Sequence, residues 1–220
     1  MAGNLGIGLQ VSMLKLFLIL SAFLVGYLLG RHRIYQLQNL SEAFVSRSLS
    51  EAFHSPTYHL LNNVTLRVKD GTTQVDHILV SRYGIFVIES KDYTGWIFAD
   101  AKSPKRTQVI FKKKNQFQNP LHQNFKHTKA VQALLDFIPS QAIQSVVVFT
   151  GDAEFKKSKP DGIFDIKELI SYIESFKSEI ISQNRLEFCV GRLECQRLAL
   201  TLETDVVHKT NLQRKFGTNN

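Results

Sequence analysis

The chain has 220 residues, of which 44% are hydrophobic and 21% are charged. This composition excludes a disordered protein and leaves room for one domain with an ordinary core. The formal net charge of +8 favours an anionic partner, either a nucleic acid or a lipid headgroup surface. Cys189 and Cys195 form neither a CxxC metal pair nor a disulfide framework, so we expect two packed thiols in a reducing compartment.

The first element in the chain is an apolar segment from Val11 to Leu29. A helix of this length extends roughly 28 Å, which is close to the hydrocarbon thickness of a bilayer. Arg31, His32 and Arg33 follow it directly, and this charge bias predicts that the C-terminal domain faces the cytoplasm. A cleaved signal peptide would carry its charges before the apolar run. We therefore expect residues 1–33 to form a single-pass anchor with a basic flank, in the inner or plasma membrane.

The rest of the chain predicts a helix, a run of strands, and then further helices around one more strand. Apolar residues at helical spacing predict a first helix that ends before Pro56. Period-two patterns and turn signals such as Asp70-Gly71 predict the strands. The predicted helices cover residues 34–53, 119–137 and 165–182, and the predicted strands cover residues 60–69, 74–81, 85–91, 94–99, 107–111 and 145–150. This order predicts an α/β or α+β domain over residues 34–205, with a core at 41–150 and a polar tail at 206–220.

Three charged residues interrupt the apolar strands, namely Asp76, Glu89 and Lys91. A hairpin register in which paired residue numbers sum to 165 sets Asp76 opposite Glu89, and a sum of 167 sets it opposite Lys91. Either register places all three on one face, because side chains alternate along a strand. The apolar run from Ile85 to Ile88 supplies both faces, so the strand is predicted to be buried on both sides. We therefore expect two carboxylates and an ammonium at the rim of the sheet.

The chemistry of such a trio depends on whether a cation lies between the carboxylates. Two partly buried carboxylates repel each other, and oxygen ligands of this kind suit Mg²⁺ or Mn²⁺. Lys91 cannot be a ligand, but it could hold an attacking water or stabilise charge on a phosphate. The spacing alone leaves an alternative open, in which Lys91 forms an ordinary ion pair with Asp76 or Glu89 at a strand end.

These residues lie in a tract that resembles the nuclease-related domain (NERD) family, a branch of the PD-(D/E)xK nuclease superfamily. The similarity covers about Ser41 to Leu135 and includes the segments SEAFVSRSLSEAF, TQVDHILVSRYGIFVIESK and NPLHQNFKH. The resemblance implies the restriction-endonuclease-like fold, a central mixed sheet flanked by helices. It also implies that Asp76 and Glu89 are metal ligands and that Lys91 is the catalytic lysine.

The resemblance adds two residues from the helices to this site. Glu42 matches the acid of the family's first helix, where it would complete the metal site, and Gln123 matches the glutamine that follows Asn119-Pro120 on the second helix. The expected function is a membrane-anchored, Mg²⁺- or Mn²⁺-dependent nuclease that hydrolyses phosphodiester bonds of nucleic acid, with DNA as its expected partner. Because a fold does not determine a function, the alternative is a catalytically silent nuclease-fold module that binds nucleic acid or a protein partner.

Other polar and aromatic residues are candidates for contacts with nucleic acid or metal. The three lysines Lys112, Lys113 and Lys114 could follow a phosphate backbone, although a charge run is also typical of a solvated face. Tyr93 and Trp96 could stack on bases or pack in the protein. His77 is expected to be structural because it points away from Asp76's face. His122 and His127 lie five residues apart on a helix and not on one face, which weakens the case for a metal pair.

Overall fold

A computed structural model describes residues 18–27, 40–98, 105–111, 113–201, 204, 206–208 and 210–211. The chain divides into two compact units, Met1–Leu40 and Ser41–Asn220. In the first unit, residues 18–27 form a helix whose large apolar side chains are exposed. Across the described ranges, no helix has both the length and the apolar character needed to span a bilayer. The predicted anchor over residues 11–29 extends past this helical segment at both ends, outside the described residues.

The second unit combines strands and helices in the order that the sequence predicts for its first half. Helix α1 covers residues 40–52. The elements after it are β1 (Tyr58–Val68), β2 (Gly71–Ser81), β3 (Gly84–Lys91), β4 (Gly95–Phe98), β5 (Lys105–Ile110), β6 (Lys113–Gln118), α2 (Pro120–Leu134), β7 (Ile143–Phe149), β8 (Ala153–Phe155), β9 (Ile163–Phe164), α3 (Ile166–Glu174) and α4 (Gln183–Gln196).

The main sheet has the strand order β1-β2-β3-β7-β9. Strands β1, β2 and β3 pair antiparallel, whereas β3, β7 and β9 pair parallel, so the sheet is mixed, as predicted. On one face, Ile85 and Val87 of β3 pack in a core with α2 and α4. On the other face, Phe86 and Ile88 pack in a core with α1 and α3. The prediction that β3 is buried on both sides is confirmed.

A second, smaller sheet has the strand order β6-β5-β4-β8. Strands β4, β5 and β6 pair antiparallel, and β8 pairs parallel to β4. Strand β6, with the sequence KKNQFQ, is not among the predicted strands, because a polar strand at the edge of a sheet lacks the apolar alternation that identifies a strand. The lysine run that resembled a solvated face therefore continues into this edge strand, with Lys113 and Lys114 exposed.

The predicted helix over residues 165–182 is wrong in its second half. A capping box between Asp165 and Glu168 begins α3, which ends at Glu174. The N–H groups of Ile180 and Ile181 instead donate to the carbonyl of Arg82, and the Ile181 side chain is buried in the core. The apolar residues Ile180 and Ile181 therefore anchor a loop, although their spacing from the helix is also compatible with a helical pattern. Helix α4, which was not predicted, begins after the Ser182 N-cap and carries both free thiols. Cys189 is buried, as expected, but the prediction of a packed thiol is wrong for Cys195, which is exposed.

Candidate active site at the end of strand β3

The pairing of β2 with β3 decides which charged residues lie together. His77 pairs with Ile88 and Ser81 pairs with Gly84, so the residue numbers sum to 165, which is one of the two predicted registers. This register brings Asp76 level with Glu89. The backbone N–H and the hydroxyl of Ser90 both donate to Asp76 Oδ2, at 2.8 and 2.9 Å. The carboxyl of Asp76 is therefore held against the end of β3.

Glu89 is the most deeply buried charged side chain of the site, with 1% of its surface exposed. Its Oε1 atom accepts a hydrogen bond from the Lys91 ammonium. On the other side, His127 Nε2 lies 3.2 Å from Glu89 Oε2, close enough for an ion pair but not aligned as a hydrogen bond. Burial raises the pKa of Glu89, but Lys91 and His127 lower the pKa by more, so it falls below its ordinary value. Glu89 is therefore ionised at neutral pH.

Asp76 and Glu42 hold their protons more tightly than free carboxylic acids do. Burial, together with repulsion from Glu89, raises the pKa of Asp76 to about 8, although Lys91 opposes the rise. Burial and the charge of Glu89 also raise the pKa of Glu42, and Lys91 again opposes them. Helix α1 thus brings Glu42 within electrostatic range of the strand residues. Three acids share this site, and they are stabilised by an added proton or cation.

Lys91 keeps its charge despite its position inside the cluster. Burial lowers the pKa of Lys91, but the carboxylates of Glu89 and Asp76 raise it by more, so the pKa lies above its ordinary value. Only 15% of the Lys91 side chain is exposed. The ion pair that the spacing left open is therefore present, between Lys91 and Glu89, but it is a buried pair and not a surface one.

Helix α2 supplies a residue of the site that the sequence did not predict. Asn124 attaches this helix to the sheet, because its amide donates to the carbonyls of Val87 and Val146, both at 2.8 Å. His127 lies three residues after Asn124 on α2 and points at Glu89. Its Nδ1 atom lies 2.6 Å from Thr73 Oγ1. The signal available in the sequence was the spacing from the predicted Gln123, since residues four apart lie on the same side of a helix.

The remaining predicted residues lie at different places in the fold. His77 is buried, its Nδ1 atom lies 2.7 Å from Asn62 Oδ1, and burial lowers its pKa to about 4, so the ring is a neutral, structural group. Tyr93 packs against Phe117, whereas Trp96 is 48% exposed. Lys113 and Lys114 are on β6 in the second sheet, and Lys112 lies outside the described residues.

The donor set at this site suits a divalent cation in its chemistry. Within the described part of the chain, no three acidic, histidine or cysteine side chains already converge on one point as metal ligands. However, Glu89 Oε2 is buried without a hydrogen bond, and the carboxyl of Asp76 has a pKa of about 8 because burial and, after it, the charge of Glu89 disfavour its ionised form. A hard cation at these oxygens would relieve both costs.

Comparison with known proteins identifies the family. The sequence model of the nuclease-related domain matches residues 37–150, which is more than half of the chain. The chain belongs to the NERD family. The matched segment of this NERD protein contains the predicted site residues Glu42, Asp76, Glu89, Lys91 and Gln123. An uncharacterized protein of Bacillus anthracis is 47% identical to it over 96 residues, which are 43% of this chain and 45% of that relative. The match thus spans less than half the length of the relative.

Proposed function

We propose that this NERD protein is a metal-dependent nuclease that hydrolyses phosphodiester bonds, with DNA as its substrate. One observation carries the proposal. In this nuclease-related domain, strand β3 ends in a buried carboxylate, Glu89, that is paired with the charged Lys91. Beside this pair lies a second carboxyl, that of Asp76, whose pKa is strongly raised. Perturbed acids beside a buried cation are typical of a catalytic site.

The acids of the cluster are the proposed ligands. Asp76 and Glu89 would hold Mg²⁺ or Mn²⁺, and Glu42 would complete the set from α1. When bound, such an ion supplies an activated water and neutralises charge on the phosphate. The Ser90 contacts hold the carboxyl of Asp76, and the His127 ring, itself held by Thr73, limits the rotation of the Glu89 carboxylate.

Lys91 has a different task in this proposal. Its ammonium remains charged in a site with little solvent, where a donor stabilises developing negative charge more strongly than it does in water. It would hold the attacking water or donate to a phosphate oxygen as charge builds on it. Gln123, on the same side of α2 as His127, would face the substrate from the helix.

The test separates the ligand from the lysine. Mn²⁺ should raise the Tm of the wild-type protein, because an ion that binds only the folded state stabilises it. Asp76→Ala should lose this shift and all cleavage together. Lys91→Gln should keep the shift while cleavage of a DNA panel falls by orders of magnitude. Near-normal cleavage by Lys91→Gln, in a preparation whose activity disappears in Asp76→Ala, would refute the role of the lysine.

A silent binding module is the second candidate, and a specific observation favours it. The Lys91 ammonium already neutralises Glu89, and the described acids do not yet converge as a metal site. For such a module, Mn²⁺ should leave the Tm unchanged and the wild-type protein should bind DNA without cutting it. Both candidate functions predict that Lys113 and Lys114, which are exposed on β6, contact nucleic acid.

We also propose, from the sequence pattern alone, that residues 11–29 anchor the chain and that the domain is cytoplasmic. The test is a Lys209→Cys variant in which Ser replaces both native cysteines. A labelling reagent that cannot cross the membrane should miss this thiol in intact cells and reach it after lysis. Labelling of intact cells would place the domain outside and remove intracellular DNA as its substrate.

A further inference from the structure

The second sheet has one packed face and one exposed face. Ile97 in the middle of β4 is fully buried and packs with Val147 and Phe149 of the main sheet. Its neighbours Trp96 and Phe98 point the opposite way, and they are 48% and 40% exposed. Two large aromatic rings therefore lie side by side on a solvent-facing sheet surface. Adjacent exposed aromatic rings make this face a candidate binding surface.

The strand registers show what surrounds these rings. Trp96 pairs with Val109, which pairs with Lys114, and Phe98 pairs with Thr107, which pairs with Gln116. Paired residues share a face of the sheet. We call the surface formed by these residues the outer platform: Trp96, Phe98, Thr107, Val109, Lys114 and Gln116. It carries aromatic rings, amide and hydroxyl groups and a cation, and it is bordered on β8 by one acid, Glu154, which pairs with Trp96.

The border of the outer platform along β8 carries a Glu–Lys ion pair. The Lys156 ammonium lies 4.3 Å from the centre of the Trp96 ring, a cation–π contact. Glu154, which pairs with Trp96 across the strands, forms an ion pair with the same lysine, so these two charges offset each other and Lys114 supplies the net positive charge of the surface. The charge of the platform therefore favours an anionic ligand, and the rings require that ligand to have flat apolar faces.

We propose that the outer platform binds single-stranded nucleic acid. Bases would stack on Trp96 and Phe98, and Lys114 would contact a phosphate. Alternate residues of a strand are roughly 6.6 Å apart, about twice the rise between stacked bases, so each ring has room for its own base. Sheet surfaces with exposed aromatic side chains bind unpaired bases in this way, whereas a duplex hides the faces of its bases from a sheet.

The inference deepens the proposed nuclease function, from which it takes nucleic acid as the ligand. Strand β4 follows β3 directly, and Trp96 is five residues after Lys91, so their Cα atoms are at most about 17 Å apart. A strand bound on the outer platform would thus be held near the acids of the candidate active site.

Trp96 makes the proposal directly measurable, because it is the one tryptophan in the sequence. Full-length protein in EDTA should show saturable quenching of its fluorescence by oligothymidylate or oligouridylate, and much less by a DNA duplex. In anisotropy titrations with labelled oligonucleotide, Trp96→Ala should weaken binding by roughly 5- to 100-fold, because one lost base stack costs that much. Trp96→Phe should keep most of the affinity.

The matched control is Phe188→Ala, which removes a 56% exposed aromatic ring from α4 and should leave binding unchanged. Far-ultraviolet circular dichroism checks that each variant is folded. Equal effects of Trp96→Ala and Phe188→Ala, or no quenching at saturation, would overturn the proposal. Binding of anionic vesicles or self-association that depends on Trp96, without oligonucleotide binding, would overturn it in favour of a lipid or a protein.

The outcomes for the platform and for the nuclease are distinguishable. If the wild type cleaves DNA but the platform variants bind normally, the platform proposal fails and the nuclease proposal stands. If single strands bind through Trp96 but no metal produces cleavage, the nuclease proposal fails and the platform stands.

Discussion

Two Glu–Lys ion pairs in the described part of the chain, one buried and one exposed, allow a quantitative prediction. Glu89 and Lys91 pair at the end of β3, and Glu154 and Lys156 pair at β8 with the same spacing of two residues. The side chains of the first pair are 1% and 15% exposed for the acid and the lysine. Those of the second are 62% and 30% exposed. Burial is thus the main difference between them.

The expected magnitudes follow from that difference. Lys91→Met would leave the Glu89 carboxylate buried with only His127 beside it, and breaking such a buried pair costs about 3–5 kcal/mol of unfolding free energy. Lys156→Met removes an exposed pair that contributes at most about 1 kcal/mol and a cation–π contact of about 0.5–1 kcal/mol. The first variant should therefore be clearly less stable than the second.

Urea unfolding with double-mutant cycles isolates each pair. The cycle of Lys91→Met with Glu89→Gln should give a coupling energy of about 3 kcal/mol that changes little with salt. The cycle of Lys156→Met with Glu154→Gln should give less than about 1 kcal/mol, and salt should reduce it. Equal coupling energies would refute the burial of the first pair, and with it the physical basis for a catalytic lysine in a site with little solvent.

Two further predictions concern the neighbours of this pair. Asp76→Asn should raise the Tm in EDTA, and the gain should grow from about pH 4 to about pH 8. The folded-state pKa of Asp76, about 8, lies above the ordinary 3.8, so between these values the folded protein keeps the proton that the unfolded chain releases, and the wild type loses stability as the pH rises; a gain independent of pH would contradict this. Asn124→Ala should lower the unfolding free energy by about 2 kcal/mol or more in urea titrations, because it removes two buried hydrogen bonds to the carbonyls of Val87 and Val146. A loss below about 0.5 kcal/mol would show that α2 does not depend on this attachment.

The order of elements around the site, and the grouping of its charged residues, could be predicted from the sequence. An apolar run such as Ile85–Ile88 has few alternatives to a strand buried on both sides. Because side chains alternate with a period of two, Glu89 and Lys91 had to share a face whatever the partner strand. Local periodicity is a property of the chain itself, so it is readable before any contact is known.

The geometry of the turn between β2 and β3 determines which of the two predicted registers the hairpin adopts. Ser81 pairs with Gly84, and its hydroxyl accepts from the N–H of Gly84 and donates to its carbonyl. Gly84 has a φ of 156°, and a Cβ there would lie 3.3 Å from the Ala142 carbonyl. These contacts close a two-residue turn and set the sum of 165, whereas the sequence is compatible with either sum.

The contribution of His127 was decided only by tertiary structure. The rotation of α2 about its axis depends on which of its polar residues reaches the sheet, and here it is Asn124, through the carbonyls of two different strands. That attachment turns His127 toward Glu89 and Thr73. Helical periodicity specifies which residues of α2 share a side, but it contains no information on which side meets the acids, because that orientation is fixed by contacts between residues far apart in the chain.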